Sequence, residues 1–137
     1  MLKITLTTII LLIFTITSFS QINKIGYHKN TIFDFENKTP CKTSDNNVWF
    51  CQSNGAMVCY TFEADQVVKV FYMWEFKALD EAQQDVEINI SNYNRQFGRA
   101  TMKDGRAFWF VDNYIYSASY GFTGGKHYSC LSISLLK

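Results

Sequence analysis

One stretch of this chain, residues 78–97, repeats its apolar residues at helical spacing. Leu79, Ala82, Val86, Ile90, Tyr93 and Phe97 follow at intervals of 3, 4, 4, 3 and 4, one continuous stripe of an α-helix. Asp80, Glu81, Asp85 and Glu87 crowd its first half, where the helix dipole favours negative charge. Arg95 and Arg99 stand near the opposite end, and Gly98 follows Phe97 as a stop residue. A helix with one apolar stripe must lay it on another apolar surface.

The flanking segments supply that surface, because they alternate as strands do. Val48 to Cys51 runs up to Ser53-Asn54-Gly55, and Asn-Gly between apolar runs is a strong hairpin signal. Ala56 to Glu63 returns, Ala64-Asp65-Gln66 turns, and Val67 to Phe76 forms a third strand. In that strand Val68, Val70, Tyr72, Trp74 and Phe76 share a fully apolar face, while Lys69, Phe71, Met73 and Glu75 make a mixed one. After Gly98 come Arg106 to Val111, Tyr114 to Phe122 and Lys126 to Leu136, separated by Asp112-Asn113 and Gly124-Gly125. Leu131, Ile133 and Leu135 alternate with Cys130, Ser132 and Ser134, the pattern of an antiparallel sheet with one wet face. A short helix is read near residues 29–37, and Thr43 to Asn47 is read as a loop. The expected fold is α+β: an antiparallel sheet of about six strands with one long amphipathic helix and a short N-terminal helix on one face.

Sliding the chain on itself by 60 residues aligns Trp49-Phe50 with Trp109-Phe110, Tyr60 with Tyr120 and Phe62 with Phe122. Each half then reads as a helix followed by three strands, a possible tandem α-β-β-β repeat. This order resembles the β-lactamase-inhibitor-protein-like domains and the small domains of outer-membrane lipoproteins, exported α+β domains that act by binding proteins. In its Asn-, Ile- and Lys-rich usage the chain is also similar to small exported proteins of Bacteroidota. The resemblance is topological and carries no site residue across.

Residues 1–20 read as a signal peptide. Lys3 is their only charge, an apolar and hydroxyl run fills Ile4 to Ile16, and Ser18-Phe19-Ser20 has the small residues of a cleavage site. Residues 21–137 then form a single domain with 12 basic against 12 acidic side chains, since Lys3 leaves with the leader. A neutral domain has no overall basic field to recruit nucleic acid, and no membrane span remains after cleavage. The expected destination is secreted or periplasmic. Cys41, Cys51, Cys59 and Cys130 are an even set in an exported chain, and disulfides are the first reading. Three pairings are possible. With a two-residue Asn54-Gly55 turn, Cys51 falls opposite Val58 and points away from Cys59, which favours Cys41–Cys51 and Cys59–Cys130.

The sequence holds no nucleophile elbow, HExxH or P-loop. His127 and Cys130 are three apart in a strand and face opposite sides, so they form no dyad. Glu81 and Asp85 read as a solvated acidic face. Neither cofactor nor metal is expected. Aromatic residues are 17% of the chain, more than usual, and Trp109, Tyr114, Tyr116 and Tyr120 form a candidate binding face. If Trp109 instead faces the helix, Phe108 and Phe110 face away. The function expected is a non-catalytic exported module that binds a protein partner, of the inhibitor, immunity or envelope-factor kind. The alternative is a carbohydrate- or small-ligand-binding domain using that aromatic face. N-terminal sequencing of the secreted product should begin at Gln21; a product beginning at Met1 overturns the signal-peptide reading.

Overall fold

The computed structural model describes residues 23–136; the leader and its cleavage site lie outside them. Helix α1 spans Lys29–Glu36 and is followed by strands β1 (Lys42–Ser44), β2 (Asn47–Cys51), β3 (Met57–Glu63) and β4 (Gln66–Phe76). Helix α2 spans Leu79–Phe97 and is followed by β5 (Thr101–Lys103), β6 (Arg106–Val111), β7 (Tyr114–Thr123) and β8 (Lys126–Leu135). All eight strands form one antiparallel sheet in the order β1-β2-β3-β4-β8-β7-β6-β5. Each half is thus a helix and a four-strand meander, and the halves join where β4 pairs with β8, from Lys69 opposite Ser134 to Phe76 opposite His127.

The fold is α+β with a long helix on an antiparallel sheet, as expected, but the sheet has eight strands rather than six. The two additional strands are β1 and β5, three exposed residues each at the sheet's outer edges. They lack an alternating apolar signal because neither face of them is buried. Asp45 and Asp104 turn each into the next strand at positive φ, 48° and 52°, a conformation that short polar side chains tolerate. Short edges carrying Lys42 and Lys103 also blunt edge-to-edge association.

The correspondence between the halves is not a uniform 60-residue shift. Asp45 matches Asp104, and the buried Phe50 of β2 matches the buried Trp109 of β6, a shift of 59. Trp49 stands on the other face. A one-residue slip in a strand reverses every side chain, so aligning the two tryptophans pairs residues on opposite sides of the sheet.

Two apolar clusters share the helix-covered face. Ile32 of α1 packs with Val48, Phe50, Val58, Tyr60, Phe62, Val67 and Val70. Tyr93 of α2 packs with Ala107, Trp109, Ala118 and Leu131, and the half-buried Tyr72 touches both clusters. The apolar face expected of β4 is interrupted at its start. The β3–β4 register shifts between Thr61 and Phe62, so Val67 is the buried residue there and Val68 is only half-buried.

Asn94 fastens the end of α2. Its Oδ1 accepts from the Ala100 backbone N–H at 2.9 Å and from the Trp109 indole N–H at 3.1 Å. Helix α1 is capped by His28, whose Nδ1 accepts from the Asn30 N–H, and ends at Asn37 in the left-handed region. Lys24 is buried ahead of α1, with its ammonium over the rings of Phe35 and Tyr27 at 4.5 and 5.4 Å.

Cys41 and Cys51 form a disulfide with a Cα separation of 5.9 Å. The favoured second pair does not form: Cys59 and Cys130 are both free and buried. Cys59 lies on β3 and Cys130 on β8 with β4 between them, so they stand two strand spacings apart, roughly 9–10 Å, beyond disulfide reach. The β2–β3 loop is also longer than two residues. Cys51 pairs with Met57 and therefore shares a face with Cys59. Truncating the fully buried Phe50 to Ala should cost about 3–5 kcal/mol in urea unfolding. Phe110→Ala, at a side chain 62% exposed, should stay within about 0.5 kcal/mol.

Candidate functional site

Both helices occupy one face of the sheet, which leaves the other face uncovered by any described element. Alternation and register define what it presents. One row crosses all eight strands: Lys42, Trp49, Cys59, Phe71, Ser132, Ser117, Phe108 and Thr101 are successive cross-strand partners. A neighbouring row holds Cys51, Met57, Met73, Cys130 and Ser119, and another holds Asn47, Thr61, Lys69, Ser134, Ile115 and Phe110.

Side-chain contacts agree with that assignment. Trp49 and Phe71 meet edge to face at 6.1 Å across Cys59. The Ser117 and Ser132 hydroxyls are hydrogen-bonded at 2.6 Å, and the Thr61 hydroxyl donates to Asn47 Oδ1 at 2.6 Å. Trp49, Phe71, Met57, Met73 and Phe108 are half-buried, and Phe110 is exposed. The face is therefore accessible, with apolar side chains over β2–β4 and on β6 and the Ser132–Ser117 pair between them.

Basic side chains outnumber acidic ones on the uncovered face. Lys42, Lys69, Lys103, Arg106 and Lys126 project on the uncovered face, against Glu63 and Glu75, and Glu75 is paired with Lys126 at 3.2 Å. The helices carry Asp34, Glu36, Asp80, Glu81, Asp85 and Glu87 together with Lys29 and Arg95. The two thiols report the same field. Burial pushes Cys59 up from 9.0 to about 11, while nearby Lys69 and Lys42 pull it back. Burial also raises Cys130 to about 11, with Arg106 opposing.

The residues expected to line an open face share one side of the sheet, as alternation implies, but it is the helix-covered side. Trp109 is 3% exposed and packed edge to face on Tyr93 at 5.0 Å; its indole N–H reaches Asn94 and Gly98. Tyr116 is half-buried against Phe97 and Tyr93, with ring centroids 4.6 and 5.8 Å away. Tyr120 hydrogen-bonds His127 Nδ1 at 2.7 Å, and Tyr114 stands half-buried beside Val111 and Leu135. Trp109 is thus corrected from binding face to core. Alternation specifies which residues go together but not which side receives the helix. Phe108 and Phe110 accordingly face away. In the sequence, the only signal for Trp49, Phe71, Met57 and Met73 as a face is the mixed side of β4, where Phe71 and Met73 stand between Lys69 and Glu75.

The helix-covered side also holds a buried polar chain. The Tyr60 hydroxyl donates to Glu36 Oε1 at 2.6 Å, and the Tyr60 and Tyr72 hydroxyls are hydrogen-bonded. Burial raises both phenols, Tyr72 to about 12, and burial raises Tyr93 as well. His28 caps a helix and His127 bonds a tyrosine. Among the described residues no His, Cys, Asp and Glu cluster could hold a metal ion. No described helix is long and apolar enough to cross a membrane. No protein-family model matches the chain, and no curated protein or solved structure matches it either.

A thiol whose folded pKa lies above its unfolded value stabilises the fold while neutral. That contribution is complete below about pH 9 and is lost as pH rises through about 11. Unfolding midpoints should therefore fall over this window, and less so in a Cys59→Ala/Cys130→Ala variant. Burial disfavours both thiolates at pH 8, so alkylation of the native protein should be much slower than that of an ordinary exposed thiol.

Proposed function

We propose that this protein is an exported, non-catalytic interaction module that binds an acidic protein partner through its helix-free sheet face. One observation carries the reading: an accessible apolar cluster of Trp49, Phe71, Met57 and Met73, with Phe108 beyond the Ser132–Ser117 pair, is flanked by Lys42, Lys69, Lys103 and Arg106. Aromatic and Met side chains at the centre of a patch, with charge at its rim, are the composition of protein interfaces. The basic rim, in a molecule otherwise near neutrality, selects a partner whose own apolar patch is ringed by carboxylates.

The doubled order of a helix followed by a strand meander supports a likeness to β-lactamase-inhibitor-protein-like domains, and hence an inhibitor, immunity or envelope-factor role. The Cys41–Cys51 disulfide and the apolar leader support work in an oxidising extracytoplasmic space, secreted or periplasmic.

The test is site-specific photo-crosslinking in intact cells. A photoreactive residue at Met73 or Phe110 should label one protein, whereas the same residue at Ile88, exposed on α2, should not. Lys69→Glu with Arg106→Glu should reduce the crosslink several-fold, and raising the salt should weaken it. Equal labelling from both sides, or labelling of lipid alone, refutes this reading.

A further inference from the structure

We infer that the groove between the end of α1 and the β2–β3 loop is a second binding site, and that its ligand is a short neutral saccharide. The groove is about 430 Å³, within the range of small-ligand clefts, about 300–1,000 Å³. Tyr72 and Trp74 of β4 line its floor, the end of α1 forms one wall, and the β2–β3 loop forms the other.

The floor is set before any ligand arrives. The Trp74 and Tyr72 rings lie nearly parallel, 12° apart with centroids at 5.6 Å. Tyr72 is held by Tyr60, which is held in turn by Glu36. Trp74 is half-buried and lines the groove, so part of an indole stacked on Tyr72 stays accessible to a ligand. Preorganisation of this kind lowers the entropic cost of binding.

The rim decides the ligand class. Glu36 gives one carboxylate oxygen to Tyr60 and keeps a second acceptor. Gln52 Oε1 accepts from Lys38 Nζ at 2.5 Å, and Asn54 Oδ1 accepts from the Ala56 N–H at 3.1 Å. Both amides thus keep their NH₂ groups as donors, and Lys38 keeps two N–H groups. Glu36 and Lys38 cancel in charge. A phosphate or carboxylate ligand would meet the Glu36 anion, and an apolar ligand would strip water from the whole rim without replacing its hydrogen bonds. Sugar hydroxyls both donate and accept, and the C–H face of a pyranose stacks on an indole. The Cys41–Cys51 disulfide closes the segment between Lys38 and Gln52, which holds the two rim residues in register.

The experiment is a titration of the purified ¹⁵N-labelled protein with cellotetraose, maltotetraose and chitotetraose, read on the tryptophan indole N–H resonances. The chain has 3 tryptophans, and the Trp74 signal is assigned by its loss in Trp74→Phe. One of these oligosaccharides should shift Trp74 and leave Trp49 unmoved. Affinity should fall about tenfold in Trp74→Ala. It should fall several-fold in Gln52→Ala/Asn54→Ala, whose side chains are exposed and whose unfolding midpoint should not change. The inference is overturned if none of the oligosaccharides moves Trp74 at millimolar concentration, or if the Gln52/Asn54 variant binds as well as the parent. Trp49 and Phe71 lie on the opposite side of the sheet and only Met57, at its margin, borders both sites, so loss of the Trp74 shift and loss of the Met73 crosslink are distinguishable.

Discussion

The antiparallel pairing of β4 with β8 is the constraint on which the rest of this structure depends. It runs without a break from Lys69–Ser134 to Phe76–His127 and converts two four-strand meanders into one sheet. Each meander alone offers a small core. Joined, they share Tyr72, which stands opposite Leu131 and packs against both apolar clusters. The pairing also removes the two edges that would otherwise be longest, leaving only the three-residue strands β1 and β5 exposed at the rims.

Putting both helices on one side follows from the same seam, and it separates two surfaces of different chemistry. The covered side holds nearly all the fully buried aromatic mass, together with the buried Glu36–Tyr60–Tyr72 hydrogen bonds. The uncovered side holds half-buried Trp49, Phe71 and Met73 beside Lys42, Lys69, Lys103 and Arg106.

Much of the architecture was legible from periodicity, because burial on one side imprints a period on the residues that pay its entropic cost. The stripe from Leu79 to Phe97 became α2, and Gly98 ends it at φ 89°. The six longer strands fall where alternation placed them. What periodicity missed was short or exposed: β1 and β5 bury nothing, so Lys-Thr-Ser and Thr-Met-Lys carry no pattern to read. The bulge before Val67 and the longer β2–β3 loop were also invisible, since a single inserted residue reverses every later side chain without changing the apolar count.

The sequence by itself determined the order of elements, the long helix, the alternating strands and the grouping of Trp109, Tyr114, Tyr116 and Tyr120 on one side of the sheet. These are local properties, set by spacing along the chain. Only the tertiary structure decided which side the helices cover, and so turned Trp109 into core and Phe71 into surface. It alone decided that Cys41 meets Cys51 while Cys59 and Cys130 stay apart, because strand order, not strand content, sets the distance between residues far apart in the chain.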